Sequence, residues 1–305
     1  MTNIHPKPSL CKMPELQTRV ATRLRKSVRS LDVDARDASA VTNAIEEMYD
    51  DALDVIVVRG ALDAATLAEV GEQLDSGACK VAWSRPNEKM PVEDLQLLGT
   101  DTPATPTFQA PRGASLDAYL SSAATHGSEA AAVFDGFDAA REIRAVLGRF
   151  SGSRPVELPR ASDGRDYLPF TIRRLVDGKQ IGIHHDYHYR LDLYRELSQQ
   201  VDTRTLISYV ATLQAPQAGG ELFVYGATSD NVDLPKLANG YSYDLPAIEE
   251  HYDRARIATG AGDLFLLASG RCLHRVGRIS GPQARITMGG FLALDKSHER
   301  VLYWS

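Results

Sequence analysis

The sequence predicts a mainly β protein with flanking helices, of the α+β class, built around an antiparallel barrel or double-sheet jelly roll. After Gly152 the chain turns into short β-branched and aromatic runs separated by turn residues, which is typical of such folds. Before Gly152, apolar residues recur at the spacing of amphipathic helices. We therefore expect a polar leader over residues 1–38, a helical and loop portion over 39–150 that packs on the core, and a β core over 151–305.

The N-terminal portion is predicted to hold helices, one strand and one long loop. Val55-Ile56-Val57-Val58 has the β-branched composition of a strand, and Asp63 can cap the helix that follows it. The five prolines between residues 81 and 112 remove backbone donors and favour irregular structure. The predicted elements are one potential helix within 1–38, a helix over 39–50 with Ser39 as cap, a strand over 54–59, a helix from Asp63, the loop over 81–112 and helical structure over 115–150.

The β core is predicted to contain eight strands, which suits two four-stranded sheets. Asp177-Gly178 is a hairpin signal between the first two of these strands. Gly289-Gly290 within the last strand predicts a bulge or the close approach of another backbone. The predicted strands cover residues 170–176, 180–187, 206–213, 221–225, 254–259, 263–267, 274–276 and 284–293.

A candidate metal site begins with His184 and Asp186, which lie two positions apart on a predicted strand. Side chains at this spacing leave the same face of a strand, so both can point at one ion. His274, from a second strand far along the chain, supplies a third ligand. Two histidines and one carboxylate on one triangular face leave coordination positions open, as in non-haem Fe(II) oxygenases. The predicted ligands are therefore His184, Asp186 and His274.

Neighbouring histidines offer other assignments, since a lone His-x-Asp pattern also occurs by chance on polar strands. His185 leaves the opposite side of the strand from Asp186, which argues against it as a ligand. His188 shares the side of Asp186. It can support the ligands, line a substrate pocket or make an ordinary hydrogen bond.

Arg285 and Thr287 follow the second histidine and share one face of a predicted strand. The arginine fork grips a carboxylate through two hydrogen bonds, and the threonine hydroxyl adds a third donor. A divalent metal, Asp186, Arg285 and a dianionic 2-oxo dicarboxylic acid together carry no net charge. Such an assembly is tolerable in a dry cavity.

These motifs resemble the Fe(II)- and 2-oxoglutarate-dependent dioxygenases, through His184-x-Asp186, His274 and Arg285-x-Thr287. Thr171-Ile172-Arg173 is similar to the branch of small-metabolite hydroxylases and halogenases that act on aliphatic carbon. The resemblance covers the second half of the chain. It implies a double-stranded β-helix (jelly roll, cupin-like) as catalytic core, with Fe(II), 2-oxoglutarate and O2 as cofactors and ascorbate as an optional reductant. In halogenases of this branch Gly or Ala replaces the carboxylate, so Asp186 favours hydroxylation.

The expected activity is hydroxylation of an unactivated C–H bond in a small metabolite, an amino acid or a compound derived from one. Arg173, Tyr187, His188 and Glu221 are candidate substrate residues. Alternatively, Arg173 or Arg174 points to solvent and Tyr187 packs as an ordinary strand residue, while the resemblance implies a mainly structural role for Glu221. Alternatives are desaturation, cyclisation or halogenation at the same iron, hydroxylation of a protein side chain, and a non-catalytic ligand-binding jelly roll.

Composition points to a cytoplasmic enzyme. The chain of 305 residues carries a formal net charge of −6 and no dense basic block, which argues against nucleic acid as a partner. Cys11, Cys79 and Cys272 are widely spaced and lack metal-type spacing, as expected of reduced thiols. The N-terminus lacks an apolar signal segment, and no stretch approaches the length of a membrane span, so a membrane partner is not expected.

Overall fold

The computed structural model describes residues 27–37, 41–80, 83, 96–98, 116–186, 194–231, 233–238 and 242–305. Most of the predicted 81–112 loop lies outside the described residues. The helices are α1 Ala44–Tyr49, α2 Ala64–Ser76, α3 Leu116–Ala132, α4 Ala139–Arg149, α5 Leu197–Gln200 and α6 Leu245–His251. The strands are β1 Ser30–Asp34, β2 Val55–Arg59, β3 Gln96–Leu98, β4 Val156–Glu157, β5 Thr171–Leu175, β6 Ile181–His184, β7 Ile207–Gln214, β8 Ala218–Gly219, β9 Leu222–Thr228, β10 Arg254–Ile257, β11 Leu264–Leu267, β12 Cys272–Val276, β13 Ile279–Ser280, β14 Arg285–Leu294 and β15 Val301–Trp304.

Two sheets form the double-stranded β-helix that the sequence predicted. The small sheet has the strand order β10-β9-β12-β6, and the large sheet runs β1-β2-β11-β7-β14-β15-β4, with β5 on β14 and β3 on β5. All eight predicted strands are present and divide four and four between the sheets. The prediction of two four-stranded sheets was wrong, because five further strands extend the large sheet to nine. One of them, β2, is the strand predicted over residues 54–59, and the other four are segments of two to five residues, too brief to show a period in the sequence.

The predicted Asp177-Gly178 hairpin was also wrong. Gly178 does make a turn, at φ 75°. However, β5 pairs with β14 in the large sheet, while β6 pairs with β12 in the small one. The turn therefore carries the chain from one sheet to the other. Turn residues indicate where a chain reverses, but the pairing of the strands depends on the packing of the whole fold.

The N-terminal portion is part of the same β architecture. β1 lies inside the segment predicted as a leader and pairs in parallel with β2. α1 begins later than predicted, with Asn43 at its N-cap position, and Ser39 lies outside the described residues. α2 begins as predicted, since the Asp63 carboxylate accepts a hydrogen bond from the Thr66 backbone N–H at 2.7 Å. The predicted 115–150 helical region is two helices, separated by a turn in which Gly136 has φ 88°.

The hydrophobic core lies between the two sheets and under the helices, and most of its members are fully buried. A second, smaller cluster, formed by Tyr225, Ile248, Tyr252 and Leu273 among others, covers the outer face of the small sheet beneath α6. The inner face of the small sheet is therefore left to line the interior of the barrel. No helix in the described ranges combines the length and apolar character needed to cross a membrane.

Gly289 and Gly290 lie in β14 where neighbouring backbones come very close, as predicted from the sequence. A Cβ atom on Gly289 would lie 2.2 Å from the Tyr209 carbonyl oxygen, and one on Gly290 would lie 2.1 Å from that of Trp304. Only glycine fits between these strands without moving a backbone.

We predict that Gly289→Ala lowers the free energy of unfolding by about 1–3 kcal/mol, because the added methyl group pushes β14 and β7 apart. Gly148→Ala in α4 is the matched control, since no atom lies within 4 Å of its added Cβ. The control should raise stability by up to ~1 kcal/mol. Urea denaturation measures the free energy of unfolding of both variants. Equal values for the two would contradict the close approach of β14 and β7 at Gly289.

Candidate metal centre

The pairing of β6 with β12 places His184 directly opposite His274, and their ring centroids lie 4.3 Å apart. Asp186 follows β6 by two residues and is 7% exposed. Its Oδ1 atom lies 3.6 Å from His184 Nε2, and its Oδ2 atom lies 3.9 Å from His274 Nε2. One ligand atom from each residue lies within 4.8 Å of the other two. The structure thus brings together the three residues that the sequence singled out.

The backbone orients both imidazoles toward the centre of this triangle. His184 Nδ1–H donates to the Gly182 carbonyl at 2.7 Å, and His274 Nδ1–H donates to the Cys272 carbonyl at 2.9 Å. Because a carbonyl oxygen can only accept, each Nδ1 carries a proton, and in the neutral form of the ring Nε2 presents its lone pair. This is the arrangement in which histidines bind metals, with the second ring nitrogen held by the protein.

Two serines position Asp186, Ser208 through its carboxylate and Ser269 through its backbone, and sequence reasoning missed both. Ser208 Oγ on β7 donates to Asp186 Oδ2 at 3.0 Å, and the Ser208 and Ser269 hydroxyls lie 2.7 Å apart. The backbone N–H of Asp186 donates to the Ser269 carbonyl at 2.8 Å. The carboxylate is therefore fixed from the large sheet, while the histidines belong to the small one. A serine between apolar residues of a central strand was the available sequence signal.

Burial sets the protonation state of the site. It lowers the pKa of His274 to about 4, and the neighbouring His184 acts in the same direction. At neutral pH His274 is thus a neutral imidazole, the form that binds a metal ion. Two imidazoles and one carboxylate fit Fe(II) and leave room for exchangeable ligands.

Arg285 and Thr287 lie on β14 with their side chains on one face, 6% and 1% exposed. Within the described residues, Thr287 Oγ1 has no hydrogen-bond partner. Burial, together with the charge of Arg173, lowers the pKa of Arg285 to about 10, so its guanidinium stays charged at neutral pH. A buried cation beside an unused hydroxyl fits the carboxylate of a bound co-substrate.

The other predicted residues are placed differently. Glu221 accepts a hydrogen bond from Arg256 at 2.5 Å and lines a shallow cavity of about 200 Å³ that Arg285 also borders. His185 points away from the metal centre, as predicted, and its Nδ1 lies 2.9 Å from the Tyr243 hydroxyl. Tyr187 and His188 lie outside the described residues. Arg173 faces the barrel interior on β5, opposite Thr287.

Comparisons with known proteins show what the chain is similar to. Residues 27–305 match the family described as the carrier-protein-independent halogenase WelO5. L-isoleucine 3(1)-dioxygenase of Pantoea ananatis (strain AJ13355) is 27% identical over 140 residues, which cover 44% of this chain and only 46% of that relative.

Two oxygenases are among the solved structures with a similar fold. One is an N-substituted L-amino acid dioxygenase from Burkholderia ambifaria AMMD in complex with alpha-KG, with 16% identity and a TM-score of 0.46. The match covers 85% of this chain and 90% of the dioxygenase chain. A Pseudomonas putida prolyl-4-hydroxylase has 16% identity and a TM-score of 0.41. The match covers 83% of this chain and 96% of the hydroxylase chain.

We predict that Ser208→Ala weakens Fe(II) binding by about 10–100-fold, because the hydrogen bond that orients Asp186 is lost. Anaerobic equilibrium dialysis measures the affinity. Ser198→Ala is the control, since the exposed Ser198 hydroxyl contacts only the Arg195 carbonyl in the described structure. Equal affinities for both variants and the wild type would show that Ser208 does not support the ligand.

Proposed function

The chain belongs to the family of the carrier-protein-independent halogenase WelO5, and we propose that it is an Fe(II)- and 2-oxoglutarate-dependent dioxygenase that hydroxylates a small metabolite. The observation that carries the proposal is the triangle of half-buried His184 with buried Asp186 and His274, in one barrel with buried Arg285. A ligand-binding jelly roll without catalysis has no need of both features.

In this proposal the chain's residues divide the work of binding. His184, Asp186 and His274 hold the iron, and Arg285 with Thr287 holds the far carboxylate of 2-oxoglutarate. When bound, the iron and 2-oxoglutarate supply the activation of O2 that oxidises a C–H bond, with succinate and carbon dioxide as co-products. The protein orients the substrate carbon and keeps bulk water out of the barrel, since a misplacement of about 1 Å can cost orders of magnitude in rate.

Asp186 supports hydroxylation rather than halogenation. Its carboxylate is held by Ser208 and lies against both histidines, so it occupies the place where a halide would have to bind. Family membership alone does not decide this point, because a halogenase gives the family its name. Product analysis in the presence of chloride tests it: a chlorinated product from the wild-type enzyme would overturn the assignment.

We propose an amino acid, or a metabolite derived from one, as the substrate. The support is the similarity to an isoleucine dioxygenase and the presence of Arg173 inside the barrel as an anchor for a carboxylate. A panel of free amino acids and N-substituted derivatives, assayed for substrate-stimulated succinate formation, tests the class. Stimulation by a peptide alone would favour the hydroxylation of a protein side chain instead.

A small-molecule partner and a cytoplasmic location also remain part of the proposal. The net charge of −6 supports the first, because an acidic protein repels nucleic acid. The three cysteines without metal-type spacing support a reducing compartment.

We predict that Asp186→Ala weakens Fe(II) binding by more than about 100-fold and abolishes hydroxylation, because a metal ligand matters more than a residue that supports one. Anaerobic metal binding and product formation are measured together. Asp163→Ala removes an exposed carboxylate paired with Arg165 and should leave both unchanged. Near wild-type hydroxylation by the Asp186 variant would move the ligand role to another acid.

We predict that Arg285→Gln raises the apparent KM for 2-oxoglutarate by about 10–100-fold, with a smaller effect on that for the main substrate. A charge-assisted hydrogen bond of about 1.5–3 kcal/mol is lost from a buried position. Arg278→Gln serves as control, because Arg278 is exposed and donates to the Gly178 carbonyl. Steady-state titration of 2-oxoglutarate measures the ratio; an unchanged value would place the anchor elsewhere.

A further inference from the structure

Asp75 is a carboxylate in a position that its own helix disfavours. It lies in the last turn of α2, where the partial negative charge of the helix C-terminus repels an anion, and that turn, described in full, holds no basic residue. Its side chain is only 15% exposed. A buried carboxylate that conflicts with local helix electrostatics points to a role in tertiary contacts.

The Asp75 carboxylate binds three segments of the large sheet at the point where β14 begins. Its Oδ2 atom accepts hydrogen bonds from the Ala284 backbone N–H at 3.0 Å and from the Gln214 side-chain amide on β7 at 2.8 Å. Its Oδ1 atom accepts from Arg174 on β5 at 2.7 Å. Burial acts to raise the pKa of Asp75, but these hydrogen bonds lower it below its usual value, so the carboxylate is ionised at neutral pH.

Ala284, the residue before Arg285, is held through both of its backbone polar groups. Its N–H donates to Asp75, and its carbonyl accepts from the same Gln214 amide at 3.0 Å. The register of β14 against β7 shifts directly after Ile286, which marks an irregularity beside Arg285. Bulges of this kind re-aim side chains and are common next to functional sites. Asp75 and Gln214 therefore fix the backbone from which Arg285 leaves β14.

Close packing of α2 on β7 sets the reach of the Asp75 side chain. Gly71 lies one turn before Asp75 on the same face of α2. A Cβ atom on Gly71 would lie 2.8 Å from Gln214 Cβ and 3.2 Å from the Leu213 carbonyl oxygen. The short Asp75 side chain reaches the start of β14 because the helix lies directly on the sheet. A helix of the N-terminal portion thus contacts the strand that carries Arg285.

We propose that Asp75 is a positioning residue for the co-substrate anchor, which acts through the Ala284 backbone to fix the direction in which Arg285 reaches the far carboxylate of 2-oxoglutarate. This inference rests on the proposed function. Asp75 lies on the outer face of the large sheet, where α2 packs, so it acts through the backbone and not by contact with a ligand. Pairing of a guanidinium with a carboxylate depends on angle as well as distance, so a small shift of the Arg285 backbone weakens it.

The first test measures ligand binding by the anaerobic protein. We expect Asp75→Ala to weaken the affinity of the Fe(II) protein for 2-oxoglutarate by about 10-fold in calorimetry, the size expected for a residue that orients a ligand-binding group. Its Fe(II) affinity in equilibrium dialysis should equal that of the wild type, because the metal ligands belong to other elements. Asp75→Asn should keep part of the 2-oxoglutarate affinity, since its amide oxygen can still accept from the Ala284 N–H.

Asp63→Ala is the matched control, because Asp63 caps the first turn of the same helix. The lost cap should lower the melting temperature by a few degrees and leave the 2-oxoglutarate affinity unchanged. If Asp63→Ala weakens 2-oxoglutarate binding as much as Asp75→Ala does, the effect follows from helix stability and the proposal is overturned. Wild-type 2-oxoglutarate affinity in every Asp75 variant that folds overturns it as well.

The second test measures the backbone itself in metal-free, ligand-free protein. Hydrogen exchange of the Ala284 amide should be about 10-fold faster or more in Asp75→Ala than in the wild type, because the amide loses its acceptor. An unchanged exchange rate overturns the positioning role. This readout needs no ligand, so the two hypotheses can fail separately. A wild type that binds no 2-oxoglutarate contradicts the proposed function, while the exchange rates still decide whether Asp75 fixes the backbone before Arg285.

Discussion

The site depends above all on the antiparallel pairing of β6 with β12, because it sets His184 directly across from His274. Directly opposed residues in an antiparallel pair lie close enough for their side chains to touch, and both leave the same face of the sheet. The register is demanding: a shift of one residue would turn one imidazole toward α6 and the outer cluster. The outward position of His185, next to Tyr243, shows where such a shift would place a ligand.

The large sheet contributes the remaining residues of the site. β7 contributes Ser208, which fixes Asp186, and pairs with β14, which carries Arg285 and Thr287. β5, on the other side of β14, brings Arg173 opposite Thr287. The two histidines of the candidate metal site and the two guanidiniums thus belong to opposite walls of one barrel. Burial makes each unpaired charge in such an interior costly.

The N-terminal portion anchors the base of β12. Asp54, just before β2, is fully buried and accepts hydrogen bonds from Arg29 and Arg271. The Cys272 thiol, two residues before His274, lies 3.5 Å from the same carboxylate. Cys272 therefore belongs to the core that supports the strand of His274. A segment far from the site in sequence helps to hold one of its histidines.

Alternation along single strands grouped His184 with Asp186 and Arg285 with Thr287, because a spacing of two determines which side chains share a face. His274 was added as the third member of a two-histidine, one-carboxylate ligand set. The same logic located eight strands and the tight positions at Gly289 and Gly290. Tertiary structure alone decided which strands pair. In the folded chain the turn at Gly178 connects the two sheets, and the large sheet has nine strands. The fold also places Ser208 within hydrogen-bond distance of Asp186. Among the described residues, it left Arg173 Nε and Nη2 without a hydrogen-bond partner, whereas Arg174 bonds Asp75. Such contacts join residues tens to hundreds of positions apart, and the packing of the entire barrel selects them.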